Sequence, residues 1–221
     1  MTYKLMGANV SPFVRKVRVL LAEKGLAYDY EPVSPFAPPA NWREISPLGK
    51  IPAFMDGSKV VNDSTVICQY IERKNKAVPM LPADDDGYIQ ALWLEEYIDG
   101  GFSAVAGGKV FFPLIVAPLR SKAPPDAATR AEAAKVVAEE VPTFWAYMEA
   151  QLGNNQFFVN NTLTLADIAV ASIHVNLLHA QVKVDAARFP KLAAFMERMF
   201  ARPSFKAVIE EEAPMWTLKS A

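Results

Sequence analysis

Three short stretches of this chain carry residue types that can do chemistry, at spacings that would let them do it. The first is Asn9-Val10-Ser11-Pro12-Phe13-Val14-Arg15. The apolar stretch before it, Tyr3-Lys4-Leu5-Met6-Gly7, suits a buried strand. After it, Val14, Val17, Leu20 and Leu21 recur at helical spacing as far as Gly25, a residue type that commonly ends helices. The stretch is therefore a strand-to-helix turn, with Pro12 in the first helical turn, where a missing N–H costs nothing. A helix start offers free N–H groups and the positive end of the dipole, and Ser11 adds a hydroxyl donor. Such a place suits an anion, a bound thiolate included. Ser is also a preferred N-cap, and these residues alone leave both roles open.

The second stretch is Asp63-Ser64, which opens a helical run through Val66, Ile67, Tyr70 and Ile71 to about Lys74. Its residues are helix caps, anion ligands, or both. The third, Thr164-Leu165-Ala166-Asp167, has the spacing of a capping box with Asp at N3, and Leu163 and Ile168 take the positions of a hydrophobic staple. The helix it starts is apolar on nearly every side, as a buried helix is. We read it as a folding centre, not a site. His174 and His179 on that helix lie about 140° apart around its axis, too far to share a metal as an i, i+4 pair can. No metal is expected.

The elements that must position these groups fall into two kinds. The first 77 residues read as mixed α/β. Strands are expected at 3–7, 27–31, 53–55 and 59–61, the last two joined by the turn signal Asp56-Gly57, with helices at about 12–24 and from 63. Residues 78–87, with Pro79, Pro82 and an acidic triplet, read as a linker. Residues 88–221 read as all helix: Tyr88 to about Val105, Ala127–Leu152 with a kink at Pro142, 164–180, 191–201 and 204–212.

Composition narrows the class further. The 221 residues carry a net charge of −1 and are 52% hydrophobic, so a sizeable core is affordable. That balance makes no electrostatic case for nucleic acid or an anionic membrane. Arg15, Lys16 and Arg18 cluster on one helix and read as a solvated face. The single cysteine, Cys68, excludes an intrachain disulfide and suits a reducing compartment. The apolar run Val110–Ala117 is too short to span a bilayer and contains Pro113. A cytoplasmic protein without a membrane span or signal peptide is expected.

Ser11 at a strand-to-helix turn, Lys50-Ile51-Pro52 before a strand, Asp63-Ser64 at a helix start and Thr164–Asp167 in a helical second half occur in an order that resembles the cytosolic glutathione S-transferase family. Ser11-Pro12-Phe13-Val14-Arg15-Lys16-Val17 and Ala201-Arg202-Pro203-Ser204-Phe205 add to the resemblance, which spans essentially the whole chain. It implies a thioredoxin-like N-terminal domain that binds glutathione, an all-α C-terminal domain with the acceptor-substrate pocket, and a homodimer, with its faces on the helices at 64–76 and 88–105. It implies a cis bond before Pro52, so that Ile51 presents its N–H and C=O to the cysteinyl part of glutathione as an added strand. Ser64 would meet the γ-glutamyl carboxylate, Asp63 its ammonium group, and Lys50 the glycyl carboxylate or solvent.

The catalytic position of the family matches Ser11, as in its theta-, phi- and tau-like classes, with Asn9 a second thiolate donor. Cys68, inside a helix, does not match it, which speaks against disulfide-exchange chemistry. A small hydrophobic electrophile would sit between Val10, Phe13, Phe36 and the helix from 88 to 112, with Phe111, Phe112 and Trp216 either lining the pocket or part of the core. The resemblance implies a glutathione transferase. A non-catalytic protein-binding module of the same fold, or a specialised glutathione-dependent isomerase, dehalogenase or etherase, would share these motifs.

Overall fold

The computed structural model describes residues 3–215, so Trp216 lies outside the described residues. The chain divides into two compact units, Met1–Leu81 and Pro82–Ala221.

The N-terminal unit is built on a four-stranded sheet in the order β2-β1-β3-β4, from β1 (Tyr3–Gly7), β2 (Tyr28–Pro32), β3 (Ala53–Asp56) and β4 (Lys59–Asn62). β1 pairs parallel with β2 and antiparallel with β3, which pairs antiparallel with β4. The parallel pair needs a crossover, supplied by α1 (Pro12–Glu23). Side chains alternate across the sheet. Phe54 meets Tyr70 of α3 (Ser64–Lys74) edge-on, and α3 packs on α1. Met6 and Ala53 pack on the other face with Trp42 of the short α2 (Trp42–Ile45). Trp42 is 1% exposed, so this four-residue helix is anchored by one indole.

Gly7 ends β1 where α1 begins, and a Cβ there would lie 2.5 Å from Val14 Cγ2. Only glycine lets strand and helix approach so closely at this turn.

The C-terminal unit is all helical: α4 (Asp85–Glu96), α5 (Ala117–Ser121), α6 (Ala127–Glu139), α7 (Val141–Leu152), α8 (Leu165–His179), α9 (Pro190–Ala201) and α10 (Pro203–Glu212). Residues 165–177 of α8 are all buried, and α4 and α9 pack on it. Its start is the expected capping box. Asp167 accepts from Thr164 N at 2.7 Å and Thr164 Oγ1 at 2.9 Å, and also from Phe158 N at 2.9 Å.

Several expectations are corrected. Arg15 and Lys16 are 0% and 1% exposed, not on a solvated face. Lys16 Nζ donates to Thr65 Oγ1 at 3.3 Å, and Arg18, half-buried, donates to Tyr28 OH at 3.0 Å. Their long apolar stems fill space beside the sheet while their heads find oxygen acceptors.

α4 opens at Asp85, because Asp84 of the acidic triplet is an N-cap that accepts from Gly87 N at 2.8 Å. The helix does not stop near Val105. It continues through π-helical turns over Tyr97–Phe102 and Ala104–Val116 into α5. Wide turns of this kind are rare, and this stretch carries Gly100, Gly101, Gly107, Gly108 and Pro113. The apolar segment is consequently longer than Val110–Ala117. Ala104–Ser121 is long and apolar enough to cross a membrane by length and composition alone, and here it packs against α6 and α8. The long Ala-rich helix, finally, is broken at Glu140 into α6 and α7, with Pro142 in the first turn of α7.

Candidate active site

The sheet register brings the sequence-predicted residues of the N-terminal unit to one end. Met6, Ala53 and Asn62 stand in a row across β1, β3 and β4. Just beyond that row β1 leads to Ser11, β3 is preceded by Ile51-Pro52, and β4 leads to Asp63-Ser64. Gly7 also pairs with Pro32, so β2 ends there too and runs into the loop carrying Phe36. Strand ends thus assemble three segments far apart in sequence.

Ser11 is the N-cap of α1. Its backbone is extended, and its Oγ accepts from Val14 N at 3.4 Å. That contact uses an oxygen lone pair and leaves the hydroxyl hydrogen to donate elsewhere. Asn9, Val10 and Phe13 around it are half-buried, while Phe36 is 49% exposed.

The Ile51–Pro52 peptide is cis. Ile51 precedes the β3 ladder, and its Cβ lies 3.5 Å from the place a Cβ on Gly7 would take. Lys50 is exposed. The loop before it is held internally. Ser46 Oγ donates to the Lys50 carbonyl at 2.8 Å, Arg43 Nη1 donates to the Pro47 carbonyl at 3.0 Å, and Gly49, at φ +70°, donates its N–H to Ser46 O at 2.7 Å.

Asp63 caps α3 with Oδ1, which accepts from Thr65 N at 2.9 Å and Val66 N at 3.2 Å. Its backbone sits at φ +73°, a region costly for a residue with a Cβ and frequent at functional sites. Oδ2 accepts nothing among the described residues. Ser64 is 4% exposed, and its hydroxyl has no hydrogen-bond partner among the described residues. With the N–H groups of Thr65 and Val66 taken up by the Asp63 cap and that of Ile67 by the Asp63 carbonyl, the hydroxyl and N–H of Ser64 are the donors left at this helix start, a kind of place that suits an anion.

Ser46 and Asn62 were not singled out by sequence. Both are short polar residues held by contacts with backbone carbonyls of other residues, which no local pattern marks.

In the C-terminal unit Phe111 is buried at 4% exposure. Phe112, at 38%, lines an open pocket of about 310 Å³ with Pro113, Pro118, Pro124, Pro125 and Thr129. His174 is buried: its Nδ1–H donates to the Val170 carbonyl (2.7 Å), and its Nε2 accepts from Trp145 Nε1 (3.0 Å). Burial holds it neutral, with a pKa lowered to about 4. Burial pushes the Asp167 carboxyl up to about 6, against the hydrogen bonds from Phe158 and Thr164 that favour its charged form. His179, by contrast, pairs with Glu212 at 2.8 Å. Among the described residues no group of three or more His, Cys, Asp or Glu could hold a metal.

A thioredoxin-like α/β unit with three strand ends converging on a capped helix start, followed by an all-helical unit, is the glutathione S-transferase fold. The chain belongs to the glutathione S-transferase family. Its N-terminal domain model matches residues 5–79 and its C-terminal domain model residues 117–212. The chain is 30% identical over 213 residues to glutathione S-transferase 3 of Zea mays, covering 93% of this chain and 92% of that protein.

Among solved structures, a glutathione S-transferase of Methylobacterium radiotolerans in complex with glutathione sulfonate is 30% identical with a TM-score of 0.75, covering 95% of each chain. One from Rhodospirillum rubrum reaches a TM-score of 0.84 at 22% identity, covering 94% of this chain and 91% of that one, which speaks to fold.

Proposed function

We propose that this protein is a glutathione transferase of the Ser type, which binds glutathione at the end of the N-terminal sheet and presents its thiolate to a hydrophobic electrophile. The observation that carries the reading is the start of α3: Ser64, only 4% exposed and with no hydroxyl partner among the described residues, on a helix N-terminus, behind a strained Asp63. Such a pair suits an α-amino acid head group. The hydroxyl and N–H of Ser64 take the γ-glutamyl carboxylate, and the unused Oδ2 of Asp63 takes its ammonium. The backbone of Ile51, beside Pro52, pairs with the cysteinyl segment, and Lys50 approaches the glycyl carboxylate. The glutathione-sulfonate complex of the Methylobacterium relative supports a ligand of this kind.

Those contacts lay the tripeptide along the sheet end toward Ser11. A free thiol with a pKa of about 8.5 is mostly protonated at neutral pH. Lowering that value by about two pH units requires about 2.7 kcal/mol of preference for the thiolate. The Ser11 hydroxyl hydrogen, the N-terminus of α1 and Asn9 are the donors for it. Val10, Phe13 and Phe36 give an apolar acceptor a surface beside the thiolate.

We further propose a homodimer in the cytoplasm. Val66 on α3 is 54% exposed, and Ile89 and Trp93 on α4 are 63% and 51% exposed; they supply its apolar faces.

Ser64→Ala tests the reading. Calorimetric titration is expected to show glutathione affinity reduced by about 1.5–3 kcal/mol, the worth of a hydrogen bond to a charged group. Unchanged affinity in a folded variant would remove the assignment.

A further inference from the structure

The proposed glutathione cradle has two arms from different parts of the chain. The Ser46–Pro52 loop carries Lys50 and Ile51, and the end of β4 leads to Asp63 and Ser64. Asn62 fastens one to the other. Its Nδ2 donates to the Ile45 carbonyl at 2.9 Å. Asn62 is the last residue of β4, pairs with Ala53 in the ladder, and directly precedes Asp63. Ile45 is the last residue of α2 and directly precedes Ser46, whose buried hydroxyl donates to the Lys50 carbonyl at 2.8 Å. Two hydrogen bonds therefore link the backbone that sets Ser64 to the backbone that presents Ile51.

Two features separate this tie from ordinary packing. Asn62 Oδ1 is buried and accepts no hydrogen bond among the described residues. An unpaired buried acceptor is a cost, so a residue that served only to fill this space would be apolar. What the position uses is the N–H donor. The next residue, Asp63, holds φ +73°, and a backbone in that region persists only where its surroundings over-determine it. Asp63 is constrained on its helix side by its own cap and on its strand side by Asn62.

We propose that Asn62 is a positioning residue for the thiol tripeptide: its carboxamide sets the separation between the carboxylate-binding start of α3 and the strand-like segment at Ile51, so that a ligand spanning both meets them together. This rests on the reading of the site given above. Asn62 touches neither the thiol nor Ser11. It acts through Ser64 and Ile51, and so governs how tightly the tripeptide is held, not how readily its thiol ionises.

The test is steady-state kinetics on the full chain. Asn62→Ala is expected to raise the KM for glutathione about tenfold, while kcat at saturating glutathione stays within about twofold of the parent and the pH at which the bound thiol ionises stays within about 0.3 unit of it. Asn62→Leu, similar in size but without the donor, is expected to do the same and serves if the alanine variant does not fold. In a Ser64→Ala background the added loss should be much smaller, because the contact being positioned is gone.

If Ser64→Ala alone leaves KM unchanged, the reading of the site is wrong and this inference goes with it. If Ser64→Ala raises KM while both Asn62 variants leave it unchanged, the inference alone is overturned. An equal loss in both backgrounds, accompanied by a lowered melting temperature, would make Asn62 a structural residue and also overturn it.

Discussion

Ser11→Ala separates two roles that the structure allows to coexist. As an N-cap, Ser11 accepts from Val14 N at 3.4 Å, a long contact. Removing it should cost stability near the low end for caps, about 0.5 kcal/mol. As a thiolate donor, Ser11 uses its hydrogen, which the cap leaves free. A donor favours the charged form of its partner and so lowers the thiol pKa. Losing it should lower turnover at neutral pH about 10- to 100-fold, corresponding to roughly 1.4–2.7 kcal/mol. The proposed carboxylate and ammonium contacts lie on other elements, so glutathione affinity at low pH, where the thiol is protonated in both proteins, should barely change. Part of the lost rate should return as pH rises and the thiol ionises unaided. The measurement is a pH–rate profile of both proteins at saturating glutathione, with ultraviolet thiolate absorbance as a second readout. Profiles that overlay would mean that Ser11 is only a cap. Asn9 and the N–H groups of the turn would then be the next donors to remove.

Asp167→Ala should damage folding and not glutathione affinity. It leaves the N–H groups of Phe158 and Thr164 without their acceptor inside the protein, and urea melts should show a loss of about 2–5 kcal/mol. His174 should make stability fall in acid. Its folded pKa of about 4 lies below the ordinary value of 6.5, so its contribution is complete above pH 6.5 and is lost as pH falls toward 4. At about 1.4 kcal/mol per pH unit, that amounts to roughly 3 kcal/mol. Asp167, raised from 3.8 to about 6, has the opposite sign, because its contribution improves as pH falls through 6 toward 3.8. The two partly cancel in the parent. His174→Gln, which keeps an acceptor for Trp145, should therefore show a flatter fall in urea midpoint below pH 6.5 than the parent, and parallel curves would refute the assignment.

What the sequence disclosed, and what it hid, follows the range of the interactions involved. β1, α1 and α3 were legible because their signals are local: an apolar run, a Pro in the first turn, a cap, a periodic face. The capping box of α8 was legible for the same reason, and α8 as a buried helix followed from apolar residues on every side. The proposed cradle was legible only as separate fragments, Ser11, Ile51 and Ser64. Nothing within any one of them says that Met6, Ala53 and Asn62 fall in a row, because strand register is decided between segments. Asn62 and Ser46 went unnoticed on the same account, since the bonds that give them meaning join a strand to a loop.

Arg15 and Lys16 were misread because charge patterning assumes that a cation prefers water, whereas a long side chain can bury its stem and still reach an oxygen. The path from α4 to α5 was misjudged for a different reason. Glycine pairs and Pro113 lower the propensity for α-helix, which argues for a stop. Packing of the apolar Ala104–Val116 stretch against α6 and α8 favours continuation, and the wide turns are the form in which continuation wins. Local propensity is worth tenths of a kcal/mol to about one per residue; burying each large apolar side chain is worth about 1.5–3. Where the two disagree over a dozen residues, burial sets the outcome, and a reading confined to local preference will err at such places.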